Sequence, residues 1–227
     1  MKQPRGITTL ELLFATVIGA VVTLMLLQFF TIAFSSWRRE DTKTIVQNNT
    51  KIAVDTVAQT IRSAKSVEAT NSQPDPHAPG APNDLYSWTA TSGSNATLIL
   101  AVPARDAQKN LIYIDSTHTS LYTDNIVYYL DPNTDILYRR TVANTQAPNN
   151  AAISTCPSDQ ATLQCPADAK VVEDIANLTT SYLNASGDVI SQPTGTEAVT
   201  FTLTQTRVIS GRTYSSSYGT TATLRNK

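Results

Sequence analysis

Glu11 is the one charged side chain in an otherwise apolar run that extends from Ile7 to Phe34. A helix over these 28 residues would measure about 42 Å, which exceeds the ~30 Å thickness of the hydrocarbon core of a bilayer. Trp37 and the pair Arg38-Arg39 follow directly, as is typical of the interfacial flank of a spanning helix. The run therefore predicts a transmembrane helix with a carboxylate close to its beginning.

Gly6 and Ile7 form a candidate processing site that lies ahead of this run. A secretory signal has the opposite order, with an apolar region of about 7–15 residues followed by a small-residue cleavage site. Cleavage after Gly6 would leave the helix attached to the chain and would create a free ammonium group on Ile7. The order of the two features therefore argues against an ordinary secretory signal.

The carboxylate of Glu11 then needs a partner, because a charged carboxylate costs about 2.5–3.5 kcal/mol at the centre of a membrane helix. The positive end of the helix dipole and the ammonium of Ile7 would both lower that cost. The Ile7 ammonium of a neighbouring copy is the better partner, since that ion pair would also stabilise assembly. The alternative is a carboxylate that reaches the lipid headgroups.

These residues resemble the start of the type IV prepilin family, namely a basic leader, Gly6, apolar Ile7, Glu11 at the fifth position after the cut, and an unbroken apolar helix. The resemblance implies cleavage by a prepilin peptidase, N-methylation of Ile7 and an assembly role for Glu11. The positive charges on the two sides of the helix hardly differ, so they do not set its orientation. The resemblance implies a head outside the cytoplasm. Ile7 stands where many pilins carry Phe, and residues 7–34 lack the proline that many major pilins carry.

The remainder of the chain predicts an amphipathic helix followed by a β-rich head. Residues 36–67 are polar but keep an apolar stripe at steps of three or four residues, which we expect to face the head; the stripe consists of Val46, Ala53, Val57, Ile61 and Ala64. Four prolines and a glycine within 71–83 exclude a helix there and predict a loop.

Alternating apolar and threonine residues predict antiparallel strands in the head. The most secure hairpin joins 125–130 to 136–142 through the turn 131–135, whose Asp131 and Asp135 are expected to serve the turn and not calcium. The other candidates are strands at 97–102, 111–114, 198–208 and 213–224, and a short turn or helix leading into a strand within 171–188.

Cys156 and Cys165 are the only cysteines. A close pair in a chain with few thiols favours a disulfide formed outside the cytosol, with two unpaired thiols as the alternative. A metal site is less expected, because His77 and His118, the only histidines, lie far from the pair in sequence. The loop 156–165 is interpreted as a stapled surface insertion.

Composition argues against two other classes of function. The formal net charge is −1, so the chain offers no basic excess for direct nucleic-acid binding. It lacks a Gly-x-Ser-x-Gly motif, a phosphate-binding glycine loop and a metal-spaced His/Cys cluster, so we expect no enzyme activity, no catalytic residues and no cofactor. A membrane-anchored surface adhesin is the remaining alternative class, and such a protein would keep residues 1–6.

The order of motifs in the head resembles the W-type minor pilins and the J-type pseudopilins of type II secretion. It consists of a Tyr-rich hairpin ending in Leu-Tyr-Arg, a Tyr-Leu segment with Gly-Asp, and a terminal Leu-Arg-Asn. The resemblance implies an α+β pilin fold, in which a long N-terminal helix packs on an antiparallel sheet. It also implies a minor pilin of a type IV pilus or related filament, placed in a priming or tip complex. The partners that it implies are other subunits bound through the N-terminal helix, the prepilin peptidase and the inner-membrane assembly platform. A J-type pseudopilin of type II secretion and a DNA-uptake pseudopilin stay open as alternatives. The expected organisation is a leader 1–6, a transmembrane helix 7–35, its amphipathic continuation 36–67, a Pro-rich linker or loop 68–96, and a head 97–227.

Overall fold

The computed structural model describes residues 8–209 and 211–225 of the chain. The expected leader 1–6, the cleavage site at Gly6 and Ile7, and the N-methylation site at Ile7 lie outside the described residues. The architecture is α+β, with a long N-terminal helix and antiparallel sheets, as predicted. The chain forms two compact units, Met1–Ile45 and Val46–Lys227.

The first unit consists of the first part of helix α1, which runs from Thr9 to Ser63. Its large apolar side chains from Leu10 to Trp37 are all exposed. Hydroxyl groups in this stretch donate to carbonyl groups one turn earlier; Thr16 bonds Leu13 O at 2.9 Å and Thr23 bonds Gly19 O at 2.8 Å. Thr31 and Ser35 make the same kind of bond, so these four hydroxyl groups are satisfied inside the helix, as suits a lipid environment.

The second unit combines the last part of α1 with two antiparallel sheets. Within the described residues, each sheet has five strands; sheet A has the order β1-β3-β4-β5-β6, and sheet B has the order β10-β9-β7-β2 with β8 beside β7. The strands are β1 (Ser66–Val67), β2 (Gly93–Ser94), β3 (Leu98–Pro103), β4 (Thr123–Asp131), β5 (Ile136–Val142), β6 (Ala169–Val172), β7 (Ile175–Leu183), β8 (Val189–Ile190), β9 (Ala198–Ile209) and β10 (Arg212–Thr223).

The main core joins the helical stripe to both sheets. All five stripe residues from Val46 to Ala64 have exposures of 1 % or less, so the predicted face is the buried one. The last four of them, from Ala53 to Ala64, pack with Leu100 and Tyr128 of sheet A and with Phe201 of sheet B, among other apolar residues. Thr60, on the same helix, adds a polar contact, since its Oγ1 lies 2.8 Å from the Tyr128 hydroxyl group. The amphipathic pattern is therefore explained by burial against the sheets.

Two strand predictions are confirmed by the hydrogen-bond register. β4 and β5 form the expected hairpin, in which Asp131 pairs with Ile136. β9 and β10 pair along their full length, from Ala198 opposite Thr223 to Ile209 opposite Arg212. In β9 the apolar residues alternate with threonines from Val199 to Thr204, so its buried face follows directly from the pattern.

One strand prediction is wrong. Residues 111–114 form no strand, because Leu111 and Tyr113 make only isolated bridges, to Arg105 and Leu121. Within 171–188, the expected strand is β7, and the residues that lead into it form a bend after β6 and not a helix. A register shift lies between Ile175 and Asn177, at the beginning of β7.

The segment 68–96, expected as a Pro-rich linker or loop, packs into the second unit. Its backbone is mostly irregular, as its prolines require. Asn71, Asp75 and Trp88 are nevertheless buried. The Asn71 side chain donates to Gln73 O and accepts from Trp88 N, which satisfies backbone groups that no strand pairs. The segment is thus held by side-chain hydrogen bonds in addition to the short strand β2, which pairs with β7.

Candidate functional site

Glu11 and Thr8 form a capping box at the beginning of α1. The backbone N–H of Thr8 donates to Glu11 Oε2 at 2.9 Å, and the Thr8 hydroxyl group donates to the same oxygen at 3.0 Å. The backbone N–H of Glu11 donates in return to Thr8 Oγ1 at 3.3 Å. A hydroxyl residue followed three positions later by Glu is the sequence signature of such a box. Thr8-x-x-Glu11 was therefore readable from the sequence, and it gives Glu11 a local role beside the expected role in assembly.

The reciprocal bonds leave part of the carboxylate free. Both hydrogen bonds from Thr8 end on Oε2 of Glu11, and no donor among the described residues reaches Oε1. A cationic donor can therefore bind Oε1 without breaking the hydrogen bonds from Thr8 to Oε2. Glu11 is exposed, so a donor from another molecule has access to it.

Helix α1 is, among the residues described, the helix that is long and apolar enough to cross a membrane. None of its most apolar 18-residue window is buried. Burying this surface in lipid or against other helices would be strongly favourable, since each apolar Å² removed from water contributes about 25 cal/mol.

A buried ion cluster organises the second unit, with Arg140 of β5 at its centre. Arg140 is 1 % exposed. Its Nη2 donates to Asp168 Oδ2 at 2.7 Å, and its Nη1 donates to Asp75 Oδ2 at 3.2 Å and to the carbonyl oxygen of His77 at 2.7 Å. Nε donates to both oxygens of Asp168 at 3.1 Å. The guanidinium group thus joins the segment 68–96 to the strand and to the residues that follow the cysteines.

Aromatic side chains and hydroxyl groups complete the cluster. Trp88 Nε1 donates to the Asp75 carboxylate at 2.7 Å, and the Tyr129 hydroxyl group donates to Asp168 at 2.7 Å. The Arg140 Cζ atom lies 5.3 Å from the centre of the Trp88 ring and 5.6 Å from that of Tyr129, within the range of cation–π contacts. The carboxylates are therefore bonded by several donors each, as buried charges must be.

The surroundings of the cluster favour a charged Arg140 and a neutral Tyr129 hydroxyl group. Burial by itself lowers the pKa of Arg140, but hydrogen bonds and charge from Asp168 outweigh it, and the pKa is raised. Burial, and then the neighbouring Asp168, raise the pKa of the Tyr129 hydroxyl group. Each guanidinium nitrogen already donates to a protein acceptor. The arrangement therefore suits a structural clasp, which we call the Arg140 clasp, and not a ligand site.

Cys156 and Cys165 are joined in a disulfide, and their Cα atoms are 5.6 Å apart. Cys156 is 1 % exposed, whereas Cys165 is half-buried. His77 lies beside them, since its ring and the two sulfur atoms offer ligand atoms that are all within 4.8 Å of one another. The sequence did not predict this proximity, because His77 lies 79 positions before Cys156 (156 minus 77).

Other polar sites have local explanations. At the hairpin tip, the Asp131 carboxylate accepts the Asn133 N–H at 2.9 Å and the Thr134 hydroxyl group at 2.8 Å, so it caps the turn. A cavity of about 450 Å³ lies beside Asp124 and Arg139. Burial raises the pKa of Asp124, but its carboxylate already accepts from Asn144 N and Asn150 Nδ2.

No protein-family model matches this chain, and no curated protein matches it. What the chain does is therefore argued from its own residues.

Proposed function

We propose that this chain is a minor pilin, a structural subunit of a type IV pilus or of a related filament. The observation that carries the proposal is the combination at the N-terminus of α1. An exposed apolar helix begins with a carboxylate whose Oε1 receives no donor from the described residues, and the expected cleavage after Gly6 would place that carboxylate at the fifth residue of the mature chain.

In the assembly step, contacts of the N-terminal helix with lipid and water are replaced by contacts with neighbouring subunits. A prepilin peptidase removes residues 1–6 and leaves Ile7 with an ammonium group, which stays cationic after N-methylation. Glu11 Oε1 of one subunit accepts a hydrogen bond from the Ile7 ammonium of the next. Charge-assisted hydrogen bonds contribute about 1.5–3 kcal/mol. Because both charges lose water when they pair, the ion pair is stabilising only if the two groups meet in good hydrogen-bonding geometry. Apolar helix surface that was in contact with lipid then packs against other helices.

The proposed partners follow from this step. They are other pilin or pseudopilin subunits, bound through the N-terminal helix, the prepilin peptidase, and an assembly platform in the inner membrane. Before assembly the chain is a single-pass protein of that membrane with its head outside, and afterwards it is part of a surface or periplasmic filament. A disulfide in the head agrees with such a location.

Intact-mass measurement of the full chain extracted from membranes tests the proposal. We expect a mass that corresponds to residues 7–227 with one added methyl group. A Gly6→Arg variant is the matched control, because a bulky residue before the cut should block the peptidase and leave residues 1–6 in place. A wild-type chain that keeps Met1 in cells with an active prepilin peptidase would contradict the proposal and would favour a membrane-anchored adhesin.

A further inference from the structure

His77, Cys156 and Cys165 form a group of three metal-ligand side chains drawn from two distant segments. One ligand atom of each residue lies within 4.8 Å of the other two. In a tetrahedral zinc site with bonds of about 2.0–2.3 Å, ligand atoms lie roughly 3.5–3.8 Å apart. A shift of about one ångström would therefore bring the three side chains around a cation, once the sulfur atoms are no longer bonded to each other.

The backbone of His77 is fixed at both of its polar groups. Its N–H donates to Asp75 Oδ1 at 2.8 Å, and its carbonyl oxygen accepts from Arg140 Nη1 at 2.7 Å. Pro76 precedes it and Pro79 follows two residues later, and proline restricts the backbone further. These bonds fix the backbone that carries the imidazole, and neither of them involves a sulfur atom.

The imidazole already has the kind of partner that metal-binding histidines have. His77 Nδ1 lies 2.8 Å from Gln160 Oε1. The amide oxygen is an acceptor, so Nδ1 carries the hydrogen and Nε2 carries the free lone pair. Metal-binding histidines commonly donate their second N–H to such an oxygen, which fixes the ring and its tautomer.

We propose that the reduced head binds one Zn²⁺ through His77, Cys156 and Cys165. A dithiol reductant transfers two electrons to the disulfide and becomes a disulfide itself, leaving two thiol groups. Zn²⁺ then displaces one proton from each thiol and binds both thiolates and the imidazole. Thiolate and imidazole are ligands that zinc prefers, and water fills the fourth position. His77 and Cys165 are half-buried, so reductant and cation both have access.

Zinc titration of the full chain in detergent micelles tests this site, with a chromophoric chelator as competitor. We expect one Zn²⁺ per chain after reduction with a phosphine and none in the oxidised chain. His77→Gln should weaken binding by the reduced chain at least about tenfold, and Cys165→Ser should weaken it further. His118→Gln is the matched control, because His118 lies in another loop against Tyr113, and it should bind like wild type.

Co²⁺ in place of Zn²⁺ gives a second readout. The reduced wild type should show the thiolate charge-transfer band of a tetrahedral cobalt site, and His77→Gln should change that spectrum. Gln160→Ala removes only the exposed partner of the imidazole and should lower zinc affinity by a smaller factor than His77→Gln. Failure of the reduced chain to bind Zn²⁺, whether folded or not, or equal affinity of His77→Gln and wild type, would overturn the proposal. Neither result would affect the proposed filament role, which does not depend on this site.

Discussion

Glu11 and Arg140 are both charges in apolar surroundings, and the chain satisfies them in opposite ways. Glu11 is exposed on an apolar helix and bonds Thr8, three residues away. Arg140 is buried and bonds Asp75 and Asp168, which are 65 and 28 residues away. The first charge depends on the helix alone, whereas the second depends on the whole head.

The difference indicates two kinds of role. Both bonds of the local cap end on Oε2, and no donor within 8–209 or 211–225 reaches Oε1, so the charge of Glu11 can serve contacts with another molecule. Arg140 has every guanidinium nitrogen engaged inside the head, so its charge can serve only the fold. Changes at Arg140 should therefore reduce stability, and changes at Glu11 should reduce assembly.

The largest effect is expected for Arg140→Ala, which leaves the carboxylates of Asp75 and Asp168 buried without their cation. The free energy of unfolding should fall by about 3–5 kcal/mol. Denaturant unfolding of the full chain in micelles, followed by near-UV circular dichroism, measures it. Arg207→Ala is the control, because its half-exposed pair with Asp174, at 3.6 Å, should contribute only about 0–1 kcal/mol. Equal losses in the two variants would contradict the structural importance of the Arg140 clasp.

Removing the disulfide tests whether the Arg140 clasp depends on the loop that leads to Asp168. Cys156→Ser with Cys165→Ser should lower the free energy of unfolding by roughly 2–3 kcal/mol, as expected for such a short loop. Because the N–H of Asp168 bonds Cys156 O at 2.8 Å, the loss should be smaller when Arg140→Ala is already present. Leu163→Ala, at a side chain that is 97 % exposed within the same loop, should leave stability unchanged. Strict additivity would show that disulfide and clasp act independently.

Three variants separate the cap from the charge of Glu11. Glu11→Gln keeps a capping residue but removes the charge, so membrane insertion and cleavage should persist while incorporation into filaments falls about tenfold or more. Thr8→Ala removes the cap and keeps the charge, and it should assemble nearly as wild type does. Glu11→Ala removes both. Immunoblots of sheared filaments against membrane fractions measure incorporation, and a normal level for Glu11→Gln would refute the ion pair.

The smallest effect concerns pH. Burial and Asp168 raise the pKa of Tyr129 above its ordinary value of about 10. Above that pH the unfolded chain loses the phenolic proton while the folded chain keeps it, so this stabilisation is complete below pH ~10 and declines as pH rises further. Burial also raises the pKa of Tyr182 to about 12. Tyr129→Phe should therefore reduce, but not abolish, the alkaline loss of stability in unfolding titrations. If the free energy of unfolding fell with pH as steeply in Tyr129→Phe as in wild type, Tyr129 would not contribute to the alkaline loss of stability.

Much of the fold could be predicted from sequence because its signals are periodic. The stripe from Val46 to Ala64 repeats at steps of three or four residues, and the strand at 198–208 alternates from Val199 to Thr204, so both indicate their buried face. Prediction failed at 111–114, where an apolar run makes only isolated bridges. At β7 the strand was expected, but the pattern left open whether a turn or a helix leads into it, and a register shift lies at that point. Arg139 and Arg140 are adjacent in β5, and neighbouring residues of a strand face opposite sides of the sheet. The sequence therefore indicated that one of the two arginines faces the interior, and this signal was not used.

The sequence by itself determined the apolar helix, its carboxylate and the capping motif, because helical contacts join residues three or four positions apart. Only the tertiary structure decided that Arg140 meets Asp75 and Asp168, and that His77 lies beside the cysteine pair. Such meetings depend on how strands and loops pack, and residue spacing along the chain does not encode that packing directly. The proposed role in a filament follows from the local features, and the proposed zinc site follows from the tertiary ones.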